Sequence, residues 1–177
     1  MSQRTRHDES SEPAGMNTAT SGLLILLAED EPADAHLLCV ALHENRIEAE
    51  VQHVFDGREA LEYLRRQGGR FAEAQRPDLI LLDLNMPRMD GREFLAALQD
   101  DVSLREIPVV VLSTSEVERD VLAAHRLGAA GYIAKSPDVG VFIEEIGRLG
   151  DYWSRLVRLP HNGEWVLREQ DGSETKR

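Results

Sequence analysis

From residue 22 onward, short apolar runs alternate with stretches of helical periodicity. The runs Leu23–Ala28, Leu79–Leu82 and Val109–Leu112 are almost wholly apolar, as strands covered on both faces should be. Glu50–Val54 and Gly131–Ala134 are more mixed and bring the predicted strands to five. Between them the periodicity predicts helices over 32–44, 57–67, 91–99, 116–127 and 138–157. In the first, Ala35, Leu38, Cys39 and Leu42 recur at i, i+3, i+4 and i+7, which puts Cys39 on the core side. Phe94, Leu95 and Leu98 make a similar stripe behind Asp90-Gly91, an entry suited to capping a helix. Strands and helices in alternation predict an α/β fold, a doubly wound parallel sheet of five strands with helices on both faces. Right-handed crossovers make that topology the economical one.

The flanks read differently. Residues 1–21 are rich in Ser and Thr, with scattered charges and nothing to bury, and are expected to form a disordered leader. The folded domain is expected over 22–157, followed by a polar tail over 158–177 anchored only by Trp165, Val166 and Leu167. No output domain is expected after residue 157. The last helix is unusually apolar: Phe142, Ile143, Ile146, Leu149, Trp153, Leu156 and Val157, with Tyr152, exceed one stripe against a sheet. Its end could fold back on its own core. The favoured reading is a homodimer face, because exposed apolar patches mark partners.

Composition narrows the choice of function. The 177-residue chain carries a formal net charge of -12, which disfavours binding to nucleic acid or anionic lipid by bulk electrostatics. Its single cysteine rules out an internal disulfide framework and suits a reducing compartment. No apolar run approaches the roughly 20 residues that span a bilayer. The polar N-terminus lacks an apolar signal segment, so a soluble cytoplasmic protein is expected. His7, His36, His43, His53, His125 and His161 show no ligand spacing, and no zinc is implied.

The chemistry sits at the strand ends. Glu29 and Asp30 follow the first strand, Asp83 ends the third ahead of the Pro/Gly-punctuated loop LNMPRMDG, and Lys135 follows the fifth. Ligands of open α/β sheets bind at that carboxyl edge. Three acids and one amine there can make a divalent-metal and phosphoryl site. Each residue alone has an ordinary reading: Asp83 as a turn residue, Glu29-Asp30 before Pro32 as helix caps, Lys135 as a solvated lysine, Tyr132 as strand packing. The joint occurrence carries the inference.

In order and spacing, residues 22–157 resemble the receiver domain of two-component response regulators. The resemblance rests on the acidic pair Glu29-Asp30, on Asp83 within a D-x-x-M-P-x-M-D-G run, on Ser113 after the fourth strand, and on Tyr132 and Lys135 around the fifth. It implies a flavodoxin-like (βα)5 fold in which Asp83 accepts a phosphoryl group. It also implies Mg²⁺ held by Asp30, Asp83 and the backbone carbonyl of Asn85, with a water held by Glu29. Lys135 would contact the phosphoryl group, and Ser113 and Tyr132 would switch the face made by the fourth helix, fifth strand and fifth helix. Within Ser113-Thr114-Ser115, Ser113 is the expected responder. Three clustered acids should also raise a carboxylate pKa in the absence of metal.

One departure stands out. Most receivers place proline after the lysine, whereas this chain reads Lys135-Ser136-Pro137. A cis bond before a non-proline costs about 2.5–4 kcal/mol, so a trans Lys135–Ser136 bond is expected. Single-domain receivers associated with bacterial and cyanobacterial phytochromes tend to have Lys-Ser here. They also share the EDEPAD entry, the VLSTS fourth strand and a final helix with Trp153 ending near Leu159-Pro160.

The resemblance implies a stand-alone response regulator with a sensor histidine kinase upstream, a bacteriophytochrome by the subgroup likeness, and an unidentified protein downstream. It would be a slowly self-dephosphorylating acceptor rather than a turnover enzyme. The alternatives are an unphosphorylated receiver-like scaffold, an aspartate-nucleophile phosphohydrolase and a flavodoxin-like cofactor binder. The hydrolase needs a second acid two residues after Asp83, where Asn85 stands. The cofactor binder needs a phosphate-cradling loop where AEDEPAD is acidic.

Overall fold

The computed structural model describes residues 23–114 and 125–153. In chain order its elements are β1 (Leu23–Ala28), α1 (Pro32–Glu44), β2 (Ala49–Val54), α2 (Gly57–Leu64), β3 (Leu79–Asp83), α3 (Gly91–Gln99), β4 (Val109–Ser113), β5 (Gly131–Ala134) and α4 (Val139–Asp151). A short 3₁₀ turn, Gly69–Phe71, follows α2. The helix expected over 116–127 lies for the most part outside the described residues, as do the expected leader over 1–21 and tail over 158–177.

The strands form one parallel sheet in the order β2-β1-β3-β4-β5. Successive strand residues face opposite sides, and the sheet therefore builds two cores. Leu26, Ile80, Leu82, Val109 and Val111 pack with Phe94, Leu95 and Leu98 of α3 and Leu61 of α2. Ile25, Leu27, Leu79, Leu81, Val110 and Leu112 pack on the other side with Leu38 and Leu42 of α1 and Phe142 and Ile146 of α4. This is the doubly wound sandwich that the apolar runs imply. No helix among the described residues is long and apolar enough to cross a membrane.

Local chemistry sets the boundaries. Pro32 opens α1 in the first-turn position where its missing N–H costs nothing. Asp90 starts α3 with a full capping box: its side chain accepts from the N–H of Arg92 and Glu93, and the Glu93 carboxylate accepts from the Asp90 N–H. At the C-cap of α1, Asn45 donates through Nδ2 to Ala41 O and to Ile143 O, both at 2.8 Å, and so ties α1 to α4.

Two expectations need correction. Cys39 is exposed. The buried stripe of α1 runs through Ala35, Leu38, Ala41 and Leu42, and at 3.6 residues per turn it is centred away from position 39. Helix α2 stops at Leu64 rather than 67, because Arg66 and Gly68 adopt left-handed φ values of 54° and 73° that no α-helix tolerates. In the last helix, Phe142, Ile146 and Trp153 enter the chain's own core, while Val139, Val141 and Tyr152 stay exposed. Leu156 and Val157 lie outside the described residues.

Candidate functional site

The chain leaves β1 to one side of the sheet and β3 to the other, so the crevice between these two strands is the topological switch point. Register brings the functional side chains to its rim. Ala28 pairs with Leu82, so Glu29 and Asp30 lie beside Asp83. Asp83 pairs with Leu112, and Ser113 with Ala134, which puts Ser113 one strand over and Lys135 just beyond. The Lys135 N–H donates to Ser113 O at 2.8 Å and fixes where the lysine leaves the sheet.

Carboxylate oxygens of Glu29, Asp30 and Asp83 lie within 4.8 Å of one another. Glu29 and Asp83 are buried. Glu31, rather than Glu29 or Asp30, stands at the N-cap of α1, which removes the plain capping reading for the acidic pair. Lys135 Nζ donates to Glu29 Oε2 at 2.6 Å and to Asp34 Oδ2 at 2.8 Å, and lies 3.5 Å from Asp83 Oδ2. Asp83 Oδ1 is fully buried and has no hydrogen-bond partner among the described residues. A buried carboxylate oxygen without a donor is costly, and a divalent cation among three oxygen ligands would satisfy it. The donor set therefore fits a hard cation.

Electrostatics follow from burial and pairing. Burial pushes the Glu29 carboxyl above the usual range, with the Asp83 charge a lesser contributor, and the Lys135 ammonium only partly offsets them. The expected rise in a carboxylate pKa is thus present, though desolvation rather than repulsion leads it. For Lys135, burial works downward, but hydrogen bonds to Asp34 and Glu29 and the Asp83 and Glu29 charges outweigh it. The ammonium ends above its ordinary value.

The loop after β3 is held by its own backbone and by α2. Gly91 N donates to Leu84 O at 3.0 Å, and Gly57 N to Met89 O at 3.1 Å. A Cβ at Gly91 would run into the Asp83 carbonyl and come within 2.8 Å of Leu84 Cα, so only glycine lets α3 start this close to the site. Arg88 reaches from the loop to the buried Asp56 carboxylate.

Of the residues picked from sequence, Glu29, Asp30, Asp83 and Lys135 converge directly. Ser113 is buried at the adjoining strand end. Asn85 is exposed two residues past Asp83. Tyr132 is half-buried and lines a hollow of about 260 Å³ with Tyr152 and Trp153, on the β5–α4 side. All peptide bonds of the described residues are trans, Lys135–Ser136 included. Sequence reasoning missed Asp34, which contacts Lys135 as closely as any acceptor but Glu29. It lies in the first turn of α1, and no local pattern in the sequence distinguishes it from an ordinary first-turn acid.

Comparison with known proteins agrees with this geometry. The response regulator receiver domain family matches residues 25–146. The response regulator Rcp1 of Synechocystis sp. is 39% identical over 137 residues, 77% of this chain and 92% of that protein. Its structure in a Mn²⁺-bound form aligns with a TM-score of 0.72 over 78% of this chain and 99% of that one. The phosphorylated cyanobacterial phytochrome response regulator RcpA aligns with a TM-score of 0.74 and 42% identity, over 80% of this chain and all (100%) of that one. The bacteriophytochrome response regulator RtBRR gives a TM-score of 0.63 and 40% identity, over 78% and 84% of the two chains. With its sheet, strand-end acids and lysine in register, the chain belongs to the response regulator receiver domain family, among relatives of the phytochrome-associated regulators.

Proposed function

We propose that Asp83 accepts a phosphoryl group from a phosphohistidine of a sensor histidine kinase, a bacteriophytochrome by the likeness to RcpA and RtBRR. The observation that carries the reading is the buried, unpartnered Asp83 Oδ1 at the switch point, beside two further acids and one ammonium. In the transfer, a carboxylate oxygen of Asp83 forms the new P–O bond as the P–N bond breaks. The bonding pair stays on the imidazole nitrogen, which takes a proton from solvent. A divalent cation, in this reading Mg²⁺, held by Asp30, Asp83 and the Asn85 carbonyl with a water on Glu29, supplies charge neutralisation when bound. The Mn²⁺-bound form of Rcp1 supports a cation at such a site.

The chain's own groups do the rest. The Lys135 ammonium neutralises a phosphoryl oxygen, and Ser113 donates its hydroxyl to another, drawing the end of β4 inward. Tyr132 then turns into the vacated space and changes the β5–α4 face, a local charge event that biases a two-state surface. Asn85 stands where a hydrolase needs a general acid, so the acyl phosphate is lost slowly rather than turned over. The signalling unit spans 22–157, acts in the cytoplasm and reaches a downstream protein by surface contact. Self-association uses the α4 side, where Tyr152 is exposed.

Intact mass after incubation with acetyl phosphate and Mg²⁺ tests the reading. The expected result is one added phosphate in the wild type, none in Asp83→Asn, and none after EDTA. No adduct in the wild type, together with no Mg²⁺ binding, would leave a receiver-like scaffold instead.

A further inference from the structure

Lys135 is shared unequally among its acids. Its Nζ sits 2.6 Å from Glu29 and 2.8 Å from Asp34 but 3.5 Å from Asp83. Two hydrogen-bonded carboxylates thus draw the ammonium toward β1 and α1, off the residue that would carry the phosphoryl group. Asp83 meanwhile keeps one oxygen with no donor at all among the described residues. Glu29 is nearly inaccessible, but the Asp34 side chain retains 39% exposure, so of the two acids that hold Lys135 it is the one in contact with solvent. Asp34 is not among the three carboxylates whose oxygens converge for a cation, so a cation held by those three would leave its charge unneutralised.

We infer that Asp34 is a positioning residue that brakes phosphoryl acceptance: it clasps the resting Lys135 ammonium away from Asp83 and repels anionic phosphodonors at the mouth of the site. The inference rests on Asp83 being the acceptor. Both effects run in one direction. A phosphodonor brings oxygens of charge like that of Asp34, and it needs Lys135 turned toward Asp83. Neutralising Asp34 removes the repulsion and releases the ammonium, leaving Glu29 and Asp83 to share it. With acetyl phosphate, a carboxylate oxygen of Asp83 forms the P–O bond while the bond from phosphorus to the acetyl oxygen breaks, and acetate leaves with the pair.

The two effects separate by their reach. Repulsion through solvent fades as the Debye length falls from about 30 Å at 0.01 M salt to about 3 Å at 1 M, whereas the direct, partly buried contact of Asp34 with Lys135 is screened much less. The test measures initial rates of acetyl phosphate adduct formation, by intact mass in Mg²⁺, for the wild type, Asp34→Asn, Asp34→Glu and Asp83→Asn at both salt concentrations. Asp34→Asn should react about fivefold faster at low salt, the order of effect expected of one unit charge acting at short range through water. The advantage should shrink but persist above unity at high salt. Asp34→Glu, which keeps the charge, should stay near the wild-type rate. The same order is expected for beryllium fluoride, which should bind Asp34→Asn more tightly without any donor chemistry. An Asp34→Asn protein that reacts at the wild-type rate or slower, with beryllium fluoride binding no tighter, overturns the brake. Absence of any adduct on the wild type instead removes the acceptor reading beneath it.

Discussion

Asp56 and Asp83 are both carboxylates taken almost out of solvent, at 0% and 6% exposure, at the ends of β2 and β3. Their treatment is opposite. Asp56 Oδ1 accepts from Glu59 N at 2.8 Å and caps α2, while Oδ2 is clasped by the Arg88 guanidinium through Nε and Nη2. Asp83 has one oxygen with no partner among the described residues and another 3.5 Å from an ammonium that prefers two other acids. Hydrogen bonds to a charged group each contribute about 1.5–3 kcal/mol, so the first carboxylate is a structural bolt and the second a group left unsatisfied. Burial therefore does not tell the two carboxylates apart; the incomplete set of partners at Asp83 does. The two are also linked, since Arg88 belongs to the loop that follows Asp83 and sits at a left-handed φ of 65°. Strain of that kind persists only where surrounding contacts hold it, here the pairing with Asp56.

The contrast can be broken hardest at the loop that presents Asp83. Gly91→Ala would drive a methyl group into the Asp83 carbonyl and Leu84 Cα, and is expected to cost about 3 kcal/mol and weaken Mg²⁺ binding. Denaturant unfolding with a parallel Mg²⁺ titration checks both. Supplying the missing partner should work the other way. Mg²⁺ at a hundredfold its dissociation constant should add about 2.7 kcal/mol to the stability of the wild type, reversed by EDTA and reduced in Asp30→Asn. An unchanged melting temperature would count against a cation site.

Replacing each aspartate separately should have opposite consequences. Asp56→Ala loses a cap and frees Arg88, and should destabilise the fold by about 2 kcal/mol in urea. Asp83→Asn removes a charge that has no full set of partners, and should leave metal-free stability within about 1 kcal/mol of wild type or above it. The smallest effect concerns pH. Burial holds the folded Glu29 carboxyl above 4.5, so the native state takes up this proton before the unfolded chain does. In metal-free protein, the burial penalty at Glu29 is complete above the folded value and is relieved as pH falls through it toward 4.5. The stability difference between wild type and Glu29→Gln should therefore shift in favour of wild type as pH drops across that window. A pH-independent difference would refute this.

Much of this was legible in the chain. The apolar runs placed β1 and β5 to the residue and the remaining strands to within one, because doubly covered strands have few ways to be anything else. Glu29, Asp30, Asp83 and Lys135 could be read as neighbours from their joint occurrence at strand ends, since parallel strands carry their ends to one edge. What escaped is non-local or rotational. Asp34 joins the site through Lys135, 101 residues away, and Arg88 finds Asp56 across 32 residues. No local pattern encodes either pairing. Cys39 was misplaced because a stripe of i, i+3, i+4 and i+7 positions fixes a face only to within about one residue, and packing against the sheet chose the Ala41 side. The end of α2 was set by backbone conformation at Arg66 and Gly68, which apolar periodicity does not register.

Asp83 as phosphoryl acceptor is tested most directly by locating the acyl phosphate itself. Protein phosphorylated by acetyl phosphate in Mg²⁺ is reduced with borohydride, which converts a phosphorylated aspartate to homoserine, and its peptides are sequenced by mass spectrometry. Homoserine is expected at position 83 and nowhere else. Homoserine at position 30, 34 or 56, or an adduct that resists reduction, would contradict it.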